Sequence, residues 1–520
     1  MSVAYGIDLG TTYSVIAAVD EYGRPMPLDA ADGRPITPSV VHFGEVGSVS
    51  VGADAKAMMR VEPDRTRDRV KNLMGTDVTF PVDGEDHTPE SISALILKYL
   101  VDSVHTGPAA PSAVITVPAH FGIAEREATQ QAALMAGIDV LDLVAEPVAA
   151  AISYGVQSDD SGDVLVYDLG GGTFDTTVIR LTSNGPVVLV TDGVHDLGGT
   201  HWDARLTDHL IEAFVAAVGP AEDPFDDDEF YYQVQGMAED LKKNLSVRRE
   251  AKIGLTFRGK SAFVVVTRAD FESFTKDLLD QTLDATRRTL DAAVAKGSRR
   301  IDKVLLVGGS SRMPMVAESL QSLFQVPVLL QDPDFAVAKG AAIRATYLAE
   351  AGRLQSTGRA SASSGRISRG GRSSGATPRA VGVLIWDTSR AGVEPLEIVD
   401  HLIDRNEQLP ISGKRRFATV MDGQDQVRIR VFEQAGAVVS PEKDHNRPVL
   451  DGLLTGLPQL KAGSPIEVTL TLGEDGRLSV RAVEPTSGRE LNLESFVEGA
   501  SDTAETARMH DVVGRLSASR

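Results

Sequence analysis

The 520-residue chain has no cysteine, and that absence removes several kinds of chemistry at once. Disulfides, thiolate metal sites and a cysteine nucleophile are all excluded. Also missing is any apolar run approaching the roughly 18–20 residues that a bilayer-crossing helix needs. A strand-like run begins at Val3, which leaves no room for a secretory signal, so a cytoplasmic location without membrane insertion is expected. Positive charge is in deficit, with 52 Lys and Arg against 73 Asp and Glu and a net charge of −21. Such a balance repels phosphate backbones and argues against a nucleic-acid partner. What remains, 42% hydrophobic and 24% charged residues, describes a soluble globular chain, and its length calls for two or three domains.

One short pattern occurs twice. Gly6-Ile-Asp-Leu-Gly-Thr-Thr-Tyr13 and Asp168-Leu-Gly-Gly-Gly-Thr-Phe-Asp175 each follow an apolar run, turn on Gly and Thr, and lead into an alternating run. Both read as β-hairpins with tight loops. Glycines let successive backbone N–H groups converge on an anion, and Thr hydroxyls add donors. Two such hairpins suggest paired lobes, each offering a phosphate loop and a carboxylate to one nucleotide. A third turn, Gly308-Gly-Ser-Ser-Arg-Met, follows the buried-type strand Val304–Val307. A helix is expected to start near Pro314, since proline suits a first helical turn.

These three segments, in this order, resemble the nucleotide-binding domain of the Hsp70 (DnaK-type) chaperones. So does the longer stretch Ala113-Val-Ile-Thr-Val-Pro-Ala-His-Phe121, continuing to Ala145-Glu-Pro-Val-Ala-Ala-Ala151. The resemblance implies an α/β actin-like (duplicated ribonuclease H-like) ATPase domain followed by an all-β sandwich. It also implies ATP/ADP and Mg²⁺ as cofactors, with K⁺ a further candidate. By resemblance, Asp8 and Asp168 hold the metal, and Gly10, Thr11, Thr12, Tyr13, Gly170, Gly171 and Gly172 face the phosphates. Lys71, Glu146, Thr173 and Asp175 match the family's catalytic positions. Glu239, Lys242 and Ser246, on one helix face, match its adenosine contacts. Gly308, Gly309, Ser310, Arg312 and Asp334 would close the other side of the base, and Gly198 and Gly199 join the nucleotide contacts. The chain departs from the family at Thr200-His201, where an acidic pair is usual, and at Gln130, where a basic residue is common. Both departures bear on interdomain coupling more than on nucleotide binding.

The ATPase domain is assigned to residues 1–351. Its helix Pro89–Val104 carries Ile92, Leu95, Ile96, Tyr99 and Leu100 at core-facing spacing. Pro224-Phe-Asp-Asp-Asp-Glu-Phe230 reads as the negative first turn of another helix. Residues 352–379 turn to Ser, Gly and Arg, with six arginines including Arg353 and Arg379 that face no nearby acid. A flexible linker is expected there.

From 380 to 497 the period changes to two, as in Val427–Val431, Ile466–Leu472 and Leu478–Val483, with Asp475-Gly476 as a hairpin turn. A β-sandwich follows from this pattern. Val381–Asp387 reads as its first strand, with Val383 and Ile385 inward and Trp386 outward; docking of this stretch as an interdomain linker is the alternative. By resemblance, Phe417, Val420, Val427 and Ile429 would form a pocket for extended polypeptide. Packing of the sandwich alone is the competing reading. A short helix over 498–520 closes the chain, too little for the helical lid of typical relatives. The function expected is an ATP-dependent chaperone binding unfolded or extended segments, with J-domain and nucleotide-exchange co-chaperones as further partners. The alternative is a nucleotide-switched adaptor for one dedicated partner.

Overall fold

The computed structural model describes residues 3–45, 47–157, 161–183, 185–330, 332–357, 374–387, 396–436 and 438–494. Two of its sheets share one plan. In the first, Ala4–Asp8 pairs antiparallel with Tyr13–Val19, which continues to Pro25–Pro27. On its other side Ala4–Asp8 runs parallel to Ser112–Val117, and that strand parallel to Asp139–Ala145. In the second sheet Gly162–Leu169 pairs antiparallel with Phe174–Thr182, and that strand with Gly185–Val194. Parallel neighbours Lys303–Val307 and Val328–Leu330 complete the order. The duplication suggested by the two hairpins is thus a duplication of whole sheets.

Helices Glu146–Gln157 and Ala336–Thr357 cross between the sheets. Val148, Ala149 and Ile152 of one and Val337, Ala341 and Ile343 of the other share a buried cluster with strand residues of both sheets. The crossing brings backbone against backbone, because a Cβ at Gly340 would lie 1.7 Å from the Ala149 carbonyl oxygen. Only glycine fits that contact. The expected helix Pro89–Val104 forms over those residues, capped by Thr88, whose hydroxyl accepts from the Ser91 N–H. Asp227 caps Asp228–Val247 in the same way, which accounts for the acidic cluster there. Pro314 opens Pro314–Leu323 as its first residue.

Beyond residue 380 two four-stranded sheets stack. One is ordered Leu396–Ile403, Val381–Asp387, Val427–Gln434, Asn446–Leu454; the other Ile411–Ala418, Pro465–Leu472, Leu478–Glu484, Arg489–Glu494. Alternate residues such as Ile466, Val468, Leu470 and Leu472 fill the space between them. Val381–Asp387 is a strand hydrogen-bonded on both sides, and Trp386 on it is exposed. Its alternation is incomplete, since Leu384 is also buried, against Val399 and Phe432 on the sheet's other face. The helix expected at 498–520 lies outside the described residues.

The expected linker extends through Arg379, but residues 374–379 are built into the fold. Ser374 exchanges backbone hydrogen bonds with Pro186 and Val188 of the N-terminal domain, each 3.1 Å. The buried Arg379 guanidinium reaches Glu125 of that domain at 3.0 Å and Glu433 of the sandwich at 3.1 Å. Its partners stand 254 and 54 residues away in sequence, which is why the local sequence shows an arginine without acids. Arg447 joins the cluster by pairing with both acids, its Nε donating to Glu433 at 2.6 Å. The Ile123 N–H also donates to Glu433, at 3.1 Å, and Ile123 and Ala124 enter the sandwich core.

Candidate nucleotide site

A cavity of about 430 Å³ opens between the two lobes, within the size range of small-molecule sites. Every residue expected at the nucleotide lines it except Gly172, Gly198 and Asp175. Those three stand directly behind its wall. The Gly199 and Thr200 N–H groups donate to the carbonyls of Gly170 and Gly171, both at 2.9 Å, tying the start of helix Gly199–Val218 to the second phosphate loop. The sequence departure at His201 has a structural role here. The Gly198 N–H donates to His201 Nδ1 at 3.1 Å, so an imidazole fills the position of a capping acid.

On the floor, Lys71 Nζ donates to Glu146 Oε1 at 2.5 Å, and both side chains are buried. Thr116 Oγ1 donates to Asp8 Oδ1 at 3.3 Å. Burial pushes the Asp8 carboxyl up to about 7, with Glu146 adding repulsion and Lys71 opposing it. Asp168 is raised well above the carboxylate range by burial and by Glu146, Asp175 and Asp8. Such a concentration of acids fits a cation. Among the described residues no group of three or more His, Asp or Glu side chains could by itself hold a metal ion. Asp8 and Asp168, both lining the cavity, fit Mg²⁺, which keeps much of its water shell and so needs few protein carboxylates. The Thr12 hydroxyl and Asp203 Oδ1 are buried without a hydrogen-bond partner among the described residues, and both residues face the cavity. Those orphaned atoms fit a polar ligand.

At the mouth, Glu239 accepts from Tyr13 Oη at 2.7 Å, from Lys56 at 2.7 Å and from Lys243 at 2.8 Å. Burial alone would raise this carboxyl, but Lys56 and Lys243 outweigh it and hold it at about 2. The Tyr13 and Glu239 side chains thus bridge the two lobes directly. Lys242 Nζ donates at 2.8 Å both to the Gly199 carbonyl and to Asp203. Ser246 Oγ donates back to the Lys242 carbonyl at 3.1 Å. Arg312 Nε donates to Asp334 at 3.1 Å across the far wall. Gly308 has φ +80°, and a Cβ there would meet the Leu169 carbonyl at 2.4 Å, so the third turn presses bare backbone against the second loop.

Lys56, Lys243, Asp203 and His120 belong to this neighbourhood without having been singled out in the sequence. Lys243 carried a signal, since it lies four residues after Glu239 on one helix face. Lys56 carried none. In the sandwich Ile429 is buried in the core, Phe417 and Val427 are half-buried against it, and Val420 is exposed.

Two like sheets around an interlobe cleft, with a β-sandwich attached, define an actin-like ATPase joined to a β-domain. The family model described as Hsp70 protein matches residues 4–83, 76–356 and 375–517. The chain is 35% identical over 500 residues to the "Chaperone protein DnaK" of Thermotoga petrophila, covering 94% of this chain and 79% of that one. Identity is 36% over 500 residues with the same-named protein of Thermotoga neapolitana and 35% over 501 with that of Thermosipho melanesiensis, at the same coverage. The chain belongs to the Hsp70 family: it is an ATP-dependent chaperone of the Hsp70 type, with ATPase activity.

Proposed function

We propose that the interlobe cavity binds ATP and ADP with Mg²⁺, and that the sandwich holds extended apolar polypeptide. The observation that carries the nucleotide reading is the convergence of both Asp-Gly-Thr loops, Lys71 and Glu146 on one cavity. Asp8 and Asp168 would hold the ion, whose charge would offset that of the phosphates. Lys71 stabilises charge on the γ-phosphoryl oxygens, and Glu146, fixed by Lys71, orients the attacking water. Asp175 supports that water from behind the wall. Thr11, Thr12, Tyr13 and the loop glycines, with Thr173, present donors to the phosphates. Lys242, Ser246, Glu239 and the Arg312–Asp334 pair enclose the adenosine, where a guanidinium stacks well on a purine.

In the sandwich, Val427 and Phe417 would line the polypeptide pocket, with Ile429 as its floor and Val420 at its rim. An extended chain would be held by backbone hydrogen bonds and one apolar side chain. We further assign the protein to the cytoplasm, with J-domain and nucleotide-exchange proteins as co-chaperones. ATP turnover measured with and without a panel of apolar heptapeptides tests the whole reading. Turnover that responds to many of them supports a chaperone with broad client choice. No ATP turnover under any condition overturns the nucleotide reading, and a response to none of the peptides overturns the polypeptide reading.

A further inference from the structure

Asp175 is only 2% exposed and stands opposite Asp168 across the second hairpin. Asp8, Glu146, Asp168 and Asp175 therefore crowd one region, with the Lys71 ammonium among them. A buried carboxylate in such company needs a donor. His120 provides it: its Nδ1 lies 2.9 Å from Asp175 Oδ1 and 3.2 Å from Oδ2. An ionised carboxylate only accepts, so Nδ1 carries the proton. The His120 ring is held in turn. The His195 ring meets it edge-on with centroids 4.0 Å apart at 71°, and the Phe121 ring, which lies under Lys71 Nζ, meets it at 5.4 Å.

We propose that His120 is a positioning residue for ATP hydrolysis, fixing the Asp175 carboxylate through Nδ1–H with His195 as the support that holds its ring. The inference rests on the nucleotide reading above and extends it to the wall behind the cavity. The charged and titratable groups facing the pair are Asp175 on its strand, Arg379 from the interdomain segment and Glu125 from helix Ile123–Met135. Burial, His120 and Arg379 together keep His195 neutral, down to about 4, with Asp175 and Glu125 opposing them.

Single-turnover hydrolysis by the whole chain, compared between a variant that removes the donor and one that restores it, separates positioning from simple packing. His120→Leu, which keeps bulk but no donor, should lower the hydrolysis rate by at least about tenfold, the lower end for outer-shell partners. ATP affinity should stay within about twofold of the parent, because His120 does not line the cavity. His120→Asn, which places an amide near the Nδ1 position, should recover most of the rate. His120→Leu hydrolysing at the parent rate would overturn the inference while leaving the ATPase reading intact. So would equal loss in both variants, since a packing defect has no reason to respond to a donor. A parent chain that binds ATP without hydrolysing it would overturn both.

Discussion

The nucleotide cleft and the sandwich differ in how their sites are made. In the cleft, residues from three glycine turns, four helices and one isolated lysine segment come to a single cavity. In the sandwich, the four expected side chains range from Ile429 in the core to Val420 in solvent. A phosphate site is built from backbone N–H groups, hydroxyls and carboxylates, which require Gly, Thr and Asp at fixed places. An apolar pocket is built from residues that fill a core equally well. Motifs therefore locate the first kind of site far more sharply than the second.

The largest effect should come from Lys71→Ala. Hydrolysis should fall by at least about 100-fold, the scale of one lost charge-stabilising donor, while ATP affinity measured by calorimetry changes little. A variant that keeps its rate would remove Lys71 from the mechanism. Next is Arg379→Ala, which leaves Glu125 and Glu433 buried without one of their two cations. Breaking such a pair costs about 3–5 kcal/mol, and the sandwich should part from the ATPase domain, read as a larger radius in small-angle scattering. An unchanged radius would show that the remaining contacts suffice.

Acid should act on the same contact with a definite sign. Glu125 is pushed up by burial, but Arg379 and Arg447 outweigh this and hold it at about 2, below its ordinary 4.5. Its stabilising contribution is complete above about pH 4.5 and lost as the pH falls toward 2. Scattering from pH 7 down to about pH 5 should show no separation that this carboxylate could cause. In the sandwich, Val427→Phe should lower peptide affinity at least about tenfold, or ~1.4 kcal/mol, with the melting temperature little changed. Unaltered affinity would return Val427 to mere packing. The smallest effect is expected from deleting residues 358–373. Basal ATPase activity should stay within about twofold, because the described contacts between domains begin at Ser374.

Much of the architecture was legible because local rules agreed with one another. Pro89–Val104 has a cap, a first-turn proline and an apolar stripe in register, and the period of two in Pro465–Leu472 is unbroken. Elsewhere the signal was nonlocal. Nothing near Arg379 announces Glu125, and nothing near His120 announces Asp175 on a strand 55 residues on. Leu384 defeats the alternation rule because its sheet buries a second, outer cluster with Val399 and Phe432. Thr200-His201 looked like the loss of an acid; what the fold required there was an acceptor for the Gly198 N–H, which an imidazole provides.

The interdomain cluster also sets how the two domains respond to ionic strength. Arg379 and Glu125 keep only 9% and 11% of their side-chain surface, whereas Lys296 and Glu407, 3.0 Å apart at the same boundary, keep 39% and 41%. Dissolved ions screen exposed charges over about 10 Å at 0.1 M but reach buried ones poorly. The outer pair should fade as salt is added, and the inner one should not. The junction should hold in brine as it does in dilute buffer.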